Sequence, residues 1–581
     1  MSDKNIGIWI FSILSIGIFL VWDYFFIKPL QIQEKETTNT TAISNTQESD
    51  ISASKSLNLQ NTNIQTSKIK DLKDELTNKN VININSKNFT GRINLADGKI
   101  DYLLLKDYNL DLNSSEKIIM LNPKNTLNTS YITTGLLLEE TDDSKIAWQS
   151  NSQELTDLNE VILTKKINQN LIVIKTIKIH NNYLLKVTDK IINNTGNKIE
   201  VTPYSSIVKT LPNSLQDTFI SHEGIVFNLK DTFETLNYED IDDKKEIILQ
   251  GSSSFAGFSD KYWLTSLIST SKEQKEIMLR AFTNLNNQKA YQLDYTLKPI
   301  TINKNSNQEF TNLLYIGPKE YRLINKYNTE YNIDKFDFVI DYGWFFFLVK
   351  PMYKLFLFLD DIFGNFGFCI LVLTLIVRLV LFPFAYKSYI SMNKMKLLQP
   401  KLKALKEKYK ADTTKYNSAV MEFYKKEKIN PLAGCLPVLL QIPIFFSLYK
   451  VIFLSIEIRH QPFWGWIKDL SSQDPTTIVN LFGLIPFNPP SFLHLGIWPI
   501  LMGVTMFIQQ KQSMTTMDEM QRKIFMFMPL ILTFVLAGFP SALLIYWTFS
   551  NVLAILQQFY INHKTKTMGL TLPKNTKSTK R

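Results

Sequence analysis

Forty consecutive residues, Ile524 to His563, carry no formal charge at neutral pH. Wound as one α-helix they would measure about 60 Å, twice the hydrocarbon thickness of a bilayer. Gly538-Phe-Pro-Ser541 interrupts the run. Glycine and proline punctuate helices, so the stretch reads as two spans joined by a tight turn. Further spans fall at Gly364–Tyr386, with Arg378 as its single charge, and at Ile429–Tyr449. Another is the helix-like end, about 493–510, of the charge-free stretch Pro475–Gln510. Asn5–Trp22 adds an uncharged run of 18 residues, near the lower limit for crossing a bilayer core. The expected fold class is therefore a multi-pass α-helical membrane protein of six spans. A mean hydropathy of −0.06 conceals this, because the apolar residues are concentrated in one part of the chain.

The other part is of a different kind. Residues 1–337 hold 37 Lys and Arg against 41 Asp and Glu, a net of −4, whereas 338–581 hold 27 against 12, a net of +15. That division argues against a uniform soluble enzyme. It also disfavours a nucleic-acid binder, since the basic residues sit between apolar runs rather than on a soluble domain. Over 81–337 the chain reads as short strands, such as Leu171–Ile179 and Tyr183–Ile192, with Asn193-Asn-Thr-Gly-Asn197 as a turn. About 250 such residues predict one large β-sandwich domain. Before it, residues 31–70 contain 23 Ser, Thr, Asn or Gln in 40 positions and no aromatic. Such a segment cannot offset its chain entropy by burial, so 27–80 is expected to be a flexible tether. Residues 1–26 read as an uncleaved anchor rather than a signal peptide, because no small-residue cleavage site follows in Asp23-Tyr-Phe-Phe-Ile-Lys-Pro29. Tyr342–Leu359 places Lys350, Lys354 and Pro351 among aromatic residues and leucines, the mark of an amphipathic helix lying at the interface over 338–363.

Catalytic signatures are missing. Cys369 and Cys435 both lie in apolar stretches, so no disulfide framework is expected. The histidines at 180, 222, 460, 494 and 563 never approach metal-ligand spacing. Neither a phosphate-cradling glycine loop nor a nucleophile elbow occurs. No enzymatic activity, metal or cofactor is expected.

Lysine distribution orients the spans. Segment 387–428 holds twelve lysines and four acids, and the tail 564–581 holds six Lys or Arg and no acid. Both are expected in the cytoplasm, which places the N-terminus inside and the β domain outside. The 387–428 loop is also patterned. Met392, Met395, Leu398, Leu402, Leu405 and Tyr409 recur at helical spacing, and Tyr416, Val420 and Phe423 begin a second stripe after Ala411-Asp-Thr-Thr414. That is a helical hairpin facing head groups or a protein partner, as against a merely solvated basic loop.

Arg378 is the residue with the most mechanistic content. It lies nine residues before Lys387, so a straight helix puts it about 13 Å above the cytoplasmic boundary, beyond the reach of snorkelling. A charge at that depth costs about 2.5–3.5 kcal/mol and belongs against protein or water. Thr374 shares its face, and Gln441, Thr505, Gln509, Gln510, Thr533, Thr548, Ser550 and Asn551 lie at similar depth on other spans. No intramembrane acid is present to neutralise it. Either neighbouring carbonyls satisfy this arginine, or it stands in a wet groove and receives an anionic group from outside the protein.

These residues carry a family resemblance. Asn430-Pro-Leu-Ala-Gly-Cys-Leu-Pro-Val-Leu-Leu-Gln-Ile-Pro-Ile-Phe445 closely resembles the third-span motif of the YidC membrane protein insertases. Asp341-Tyr-Gly-Trp344, Gly364-Asn-Phe-Gly367, Val377-Arg-Leu-Val-Leu-Phe-Pro383, Lys394-Met-Lys-Leu-Leu-Gln-Pro400 and Gly503-Val-Thr-Met-Phe507 are similar to further blocks in the same order. The resemblance is strong over 338–561 and extends to 1–337 by layout, which is that of the Gram-negative inner-membrane branch. It implies a five-span core over 364–561 around a hydrophilic groove, with Arg378, Thr374 and Gln510 in the groove. Tyr546-Trp547 would supply an aromatic guide, and Gln441 lies in the matching third span. It implies nascent membrane proteins as guests, with the Sec translocon (SecYEG, SecDF) as a membrane partner. Ribosomes or signal-recognition components would dock on the hairpin and on the basic tail 562–581. The long Pro- and Phe-rich stretch Thr476–Gly496 departs from the family pattern. The principal alternative is a secondary transporter with an external ligand-binding domain, against which stands the absence of paired broken helices in repeated halves. A sugar-binding or sugar-modifying β domain rests on fold analogy alone.

Overall fold

The computed structural model describes residues 71–567, except 125, 139–145, 212–220, 270–272, 285–287, 411, 428–435, 484, 486–494 and 514–518. The expected anchor 1–26, most of the tether 27–80, Cys435 and most of the tail 562–581 lie outside these residues.

Among the described residues, 20 strands between Val81 and Pro318 form two sheets of 11 and 9 strands. Every pairing is antiparallel except that of Val81–Asn85 with Glu154–Thr156. Alternation is the local cause. Leu171–Asn181 buries every second side chain from Leu171 to Ile179, the period of a strand with one covered face. It pairs with Leu184–Asn193 across Asn182-Tyr183, where Asn182 adopts a φ of 39°, a left-handed backbone that asparagine tolerates. Asn193 organises the next turn: its Nδ2 donates to the carbonyls of Asn197 and Asn303, both at 3.0 Å, and its Oδ1 accepts from Thr195 N at 3.0 Å. Ile132 and Leu136 of one sheet belong to the same apolar cluster as Val173, Val187 and Leu314 of the other.

Among the described residues four lysines are buried, Lys165, Lys175, Lys275 and Lys319, and Lys175 and Lys319 are the deepest. Lys175 occupies an inward position, and its Nζ lies 2.8 Å from Asp189 Oδ1, with both side chains 1% exposed. The ammonium also donates to Thr134 O at 2.6 Å, on the facing sheet. Burial pulls the Lys175 pKa below its usual range, with Asp189 opposing. Lys319 is 2% exposed and donates to Ser259 Oγ at 3.0 Å. Burial lowers its pKa to about 8, against the attraction of Asp260, Asp341 and Glu223. Between about pH 8 and the ordinary lysine value of 10.5, the unfolded chain holds this proton and the folded chain does not, so stability rises with pH across that window. Lys319→Met is expected to abolish this component of the slope and to stabilise the β domain at pH 7 by about 1–3 kcal/mol. Thermal unfolding of both proteins, followed by near-UV circular dichroism at pH 7 and pH 9, measures both effects.

Ten α-helices accompany the strands among the described residues. α1 (Leu72–Leu76), α2 (Tyr238–Lys244) and α3 (Tyr321–Glu330) belong to the β-rich half. α4 (Phe346–Phe363), α5 (Phe366–Lys408), α6 (Thr413–Lys426), α7 (Leu436–Leu454), α8 (Ile497–Ser513), α9 (Glu519–Leu536) and α10 (Ser541–Thr567) form the helical half. Gly364 ends α4 with a φ of 60°, and the Asn365 side chain caps α5 by accepting from Phe368 N. Asp412 caps α6, accepting from Thr414 N and Lys415 N at 3.0 and 3.1 Å. The α9–α10 break falls at 537–540, and Ser541 N donates to Ser472 O at 2.7 Å. By length and composition, α5 and Ser541–Thr565 are apolar and long enough to cross a bilayer, while Gln441–Leu454 and Phe525–Leu536 are shorter apolar helices.

Three boundaries differ from the sequence reading. The expected division between a span ending at Tyr386 and a hairpin beginning at Lys387 is not a break. α5 runs through it as one helix of 43 residues, about 65 Å long, because lysine propagates a helix as well as leucine does. The expected uncharged span Ile429–Tyr449 gives way to α7, which continues to Leu454 and includes Lys450. Asp341 Oδ2 lies 2.7 Å from that ammonium, and a charge is tolerated in a helix where a partner meets it. The expected interfacial helix starts only at Phe346, since Tyr342 is buried in the core before it.

α10 packs against α5 and α8, α9 packs on α8, and α4 packs on α5 and α7. Polar contacts tie the two halves together. Glu457 accepts from Tyr321 N at 3.0 Å and Tyr353 OH at 2.8 Å, and Arg459 Nη2 donates to Leu110 O at 2.6 Å.

Candidate functional site

The helices around α10 bring together side chains that are 105 to 172 positions apart in the chain. Arg378, half-buried on α5, donates through Nη2 and Nε to Ser550 Oγ on α10, at 2.6 and 3.2 Å. Four residues earlier, one helical turn along the same face, Tyr546 OH accepts from Gln441 Nε2 of α7 at 3.0 Å. Arg378, Ser550, Tyr546 and Gln441 thus form a polar line across three helices whose surroundings are apolar. Gln557, two turns beyond Ser550, donates to the Arg378 carbonyl at 3.3 Å. Aromatic rings close one side: Phe445 of α7 lies 4.5 Å from the Trp547 ring and 6.4 Å from that of Tyr546.

The only side-chain hydrogen-bond partner of Arg378 among the described residues is the neutral Ser550 hydroxyl, and no carboxylate there comes within ion-pair distance. One hydroxyl cannot fill the five N–H donors of a guanidinium. The cation also borders a cleft of about 390 Å³ on the seam between α5 and α10, lined further by Leu375, Leu379, Phe382, Leu556 and Gln557. Leu379 and Leu556 are exposed. A positive charge with spare donors, reachable from an apolar surface, is suited to receive an anionic or strongly polar group from an otherwise apolar guest.

The other expected site residues are distributed differently. Thr374 is buried, and its Oγ1 donates to Ile370 O at 2.6 Å, so its hydroxyl is engaged within α5 and does not reach the guanidinium. Gln510 makes no hydrogen bond to the Arg378 line, and its Oε1 is buried without a partner. α8 instead presents Thr505, whose Oγ1 accepts from Asn551 Nδ2 of α10 at 3.2 Å. Ser550 was evident in the sequence as a polar residue at depth but not as the partner of Arg378. Gln557 was missed. Its signal was the seven-residue spacing from Ser550, which puts both on one face of a helix.

Residues 81–355 match the YidC periplasmic domain family, and residues 358–568 match the 60Kd inner membrane protein family. The chain is 38% identical to the membrane protein insertase YidC of Rickettsia felis, over 97% of this chain and 100% of that one. It is 37% identical to the membrane protein insertase YidC of Rickettsia prowazekii over the same shares. Among solved structures it is similar to an active YidC insertase with the first transmembrane domain resolved (TM-score 0.36, 19% identity, 83% of this chain and 93% of that one). It is also similar to a galactose mutarotase-like protein from Lactobacillus casei (TM-score 0.29, 10% identity, 41% of this chain and 100% of that one). Two family matches laid end to end, and 38% identity across nearly all of both chains, identify this chain as a member of the YidC family of membrane protein insertases, inner-membrane proteins with a β-rich periplasmic domain and a helical C-terminal region.

Proposed function

We propose that this chain moves nascent inner-membrane proteins from the cytoplasm into the bilayer through a hydrophilic groove centred on Arg378, alone or with the Sec translocon. The observation that carries this reading is a guanidinium inside a helical bundle whose single side-chain partner among the described residues is a serine hydroxyl. A permanent structural cation would be expected to have a carboxylate partner. A cation that receives successive guests works better without one.

In this reading α5, α7, α8, α9 and α10 are the five spans of the core 364–561, and the segment 1–26 supplies a sixth. The hairpin 387–428 and the tail 562–581 face the cytoplasm with both termini. The domain 81–337 faces the periplasm behind its tether 27–80, and 338–363 rests at the interface. The lysine-rich half of α5 and the basic hairpin support this orientation. A short polar segment of the guest enters the groove and is drawn to Arg378. Gln441 offers amide hydrogen bonds that replace water, Tyr546 and Trp547 form an aromatic wall for the guest helix, and Thr374 packs behind Arg378. No covalent step is needed. The driving free energy is the guest helix's own transfer into lipid, about 25 cal/mol for each Å² of apolar surface removed from water. The hairpin and tail are the surfaces for ribosomes or signal-recognition components, and SecYEG and SecDF are the membrane partners.

Reconstitution tests this directly. Liposomes containing the purified protein are expected to protect a short single-span guest from added protease, whereas empty liposomes do so far less. Equal protection with and without the protein would overturn the proposal. Adding the translocon to the same vesicles reports whether it raises the yield.

A further inference from the structure

The segment between α7 and α8 is anchored at both ends rather than slack. Asp474 Oδ1 accepts from Thr476 N at 3.0 Å, Thr476 Oγ1 at 2.7 Å and Trp466 Nε1 at 3.1 Å, while its Oδ2 accepts from Trp498 N at 2.8 Å in the first turn of α8. Asp469 accepts from His460 N at 3.0 Å and from the hydroxyls of Ser471 and Ser472 at 2.7 and 2.6 Å. Ser472 O in turn receives Ser541 N at the start of α10. Ile467 and Leu470 are fully buried in the core. The segment is therefore fastened to the ends of α8 and α10 opposite the lysine-rich hairpin.

From this fixed frame it presents apolar side chains outward. Trp464 is 81% exposed, and Leu481 and Phe482 are 52% and 53% exposed. Leu481 and Phe482 also adopt φ values of 50° and 60°, a left-handed backbone that bulky side chains resist. Strained backbone persists only where something over-determines it, and these two side chains gain little cover from the rest of the chain. Between 461 and 482 the charged residues are Lys468, Asp469 and Asp474, and both acids are turned to internal hydrogen bonds. Beyond Ile497, the exposed Leu501 and Val504 of α8 continue the apolar surface. At the same end of the bundle, Trp344 stands 94% exposed beside the Asp341–Lys450 pair.

We propose that residues 461–482 are an interfacial anchor whose Trp464 and Leu481-Phe482 side chains insert into the outer leaflet, at the boundary between head groups and acyl chains. Tryptophan concentrates at that boundary because one side of its ring is apolar and its N–H is polar. The near absence of free charge and the continuity with the apolar face of α8 favour lipid over a water-facing protein partner. Docked in this way, the segment sets the height of α8 and α10 in the bilayer. The inference rests on the membrane orientation proposed above but not on insertase activity.

Full-length protein in liposomes of phosphatidylethanolamine and phosphatidylglycerol provides the test. In a Cys435→Ser background, with Cys369 buried, Trp464→Cys and Phe482→Cys are each labelled with an environment-sensitive nitrobenzoxadiazole probe. Leu158→Cys, at a position 97% exposed on the β domain, serves as the aqueous reference. The labels at 464 and 482 are expected to emit at shorter wavelength than the one at 158. Lipids carrying a nitroxide near the glycerol backbone should remove most of their intensity, and aqueous iodide little of it. The proposal is overturned if iodide quenches 464 and 482 as it does 158. It is also overturned if the two positions become shielded only after detergent-extracted membrane proteins are added, since the cover would then be protein. Insertion assayed in the same vesicles is a separate readout, so loss of activity with retained lipid shielding counts against the functional reading alone.

Discussion

Arg378→Ala is expected to lower insertion of a guest with an acidic external segment by tenfold or more, while a matched guest with a neutral segment stays within about threefold of native. The magnitude follows from Coulomb attraction. At an effective dielectric near 20, a carboxylate about 4 Å from the guanidinium gains roughly 4 kcal/mol. Half of that, left after desolvation, still corresponds to more than about tenfold, since 1.4 kcal/mol is one decade. Arg378→Lys keeps the charge but loses the planar fork that reaches Ser550 through two nitrogens, and should fall between native and alanine. Ser550→Ala keeps the guanidinium and releases its tether, so it should weaken both guests modestly and equally. Protease protection of the paired guests in proteoliposomes measures all three. An equal loss for both guests in Arg378→Ala would mean that the residue supports helix packing and does not attract guests.

The second large effect lies in the β domain and concerns stability. Asp189→Ala leaves the Lys175 ammonium enclosed between two sheets, with Thr134 and the Trp148 ring beside it and the like charge of Lys165 opposing it. Breaking one side of a buried pair typically costs about 3–5 kcal/mol, a large share of the roughly 5–15 kcal/mol that holds a domain together. Lys175→Met combined with Asp189→Leu removes both charges and should return stability to within about 1 kcal/mol of native, or above it, because neither ion then has to be desolvated. Urea unfolding of the full-length protein in detergent, followed by near-UV circular dichroism of the β domain, gives both values. If Asp189→Ala unfolds at the native midpoint, water must reach Lys175 and the pair contributes little.

Much of the architecture was legible because its signals are local. The strand Leu171–Asn181 follows from a two-residue alternation, the α6 start from an aspartate before a helical stripe, and the α9–α10 turn from glycine and proline within four residues. Hydrophobic runs and lysine clusters located the helical half and suggested its orientation. Arg378 stood out for the same reason, as a lone charge in an apolar window. Other features depended on residues far away. The charge change at Lys387 looked like a boundary, yet helix propensity carried α5 through it. Lys450 looked like the end of a span until Asp341, 109 positions earlier, was found beside it. Lys175 fell in a strand face that reads as apolar, and only Asp189 and the facing Thr134 make its burial tolerable.

What the sequence by itself determined is the character of each element: which segments are strands, which are apolar helices, and which residue stands as a lone charge in an apolar run. These depend on side-chain periodicity, capping and composition over a few neighbouring residues. What only the tertiary structure decided is the company each polar residue keeps. Ser550 rather than a carboxylate meets Arg378 from 172 positions away, Gln441 reaches Tyr546, Thr374 turns back into its own helix, and Gln510 stands apart. Those outcomes depend on how helices rotate and pack against one another, and helix rotation is set by the sum of many apolar contacts between distant segments, a quantity that no local window of sequence contains.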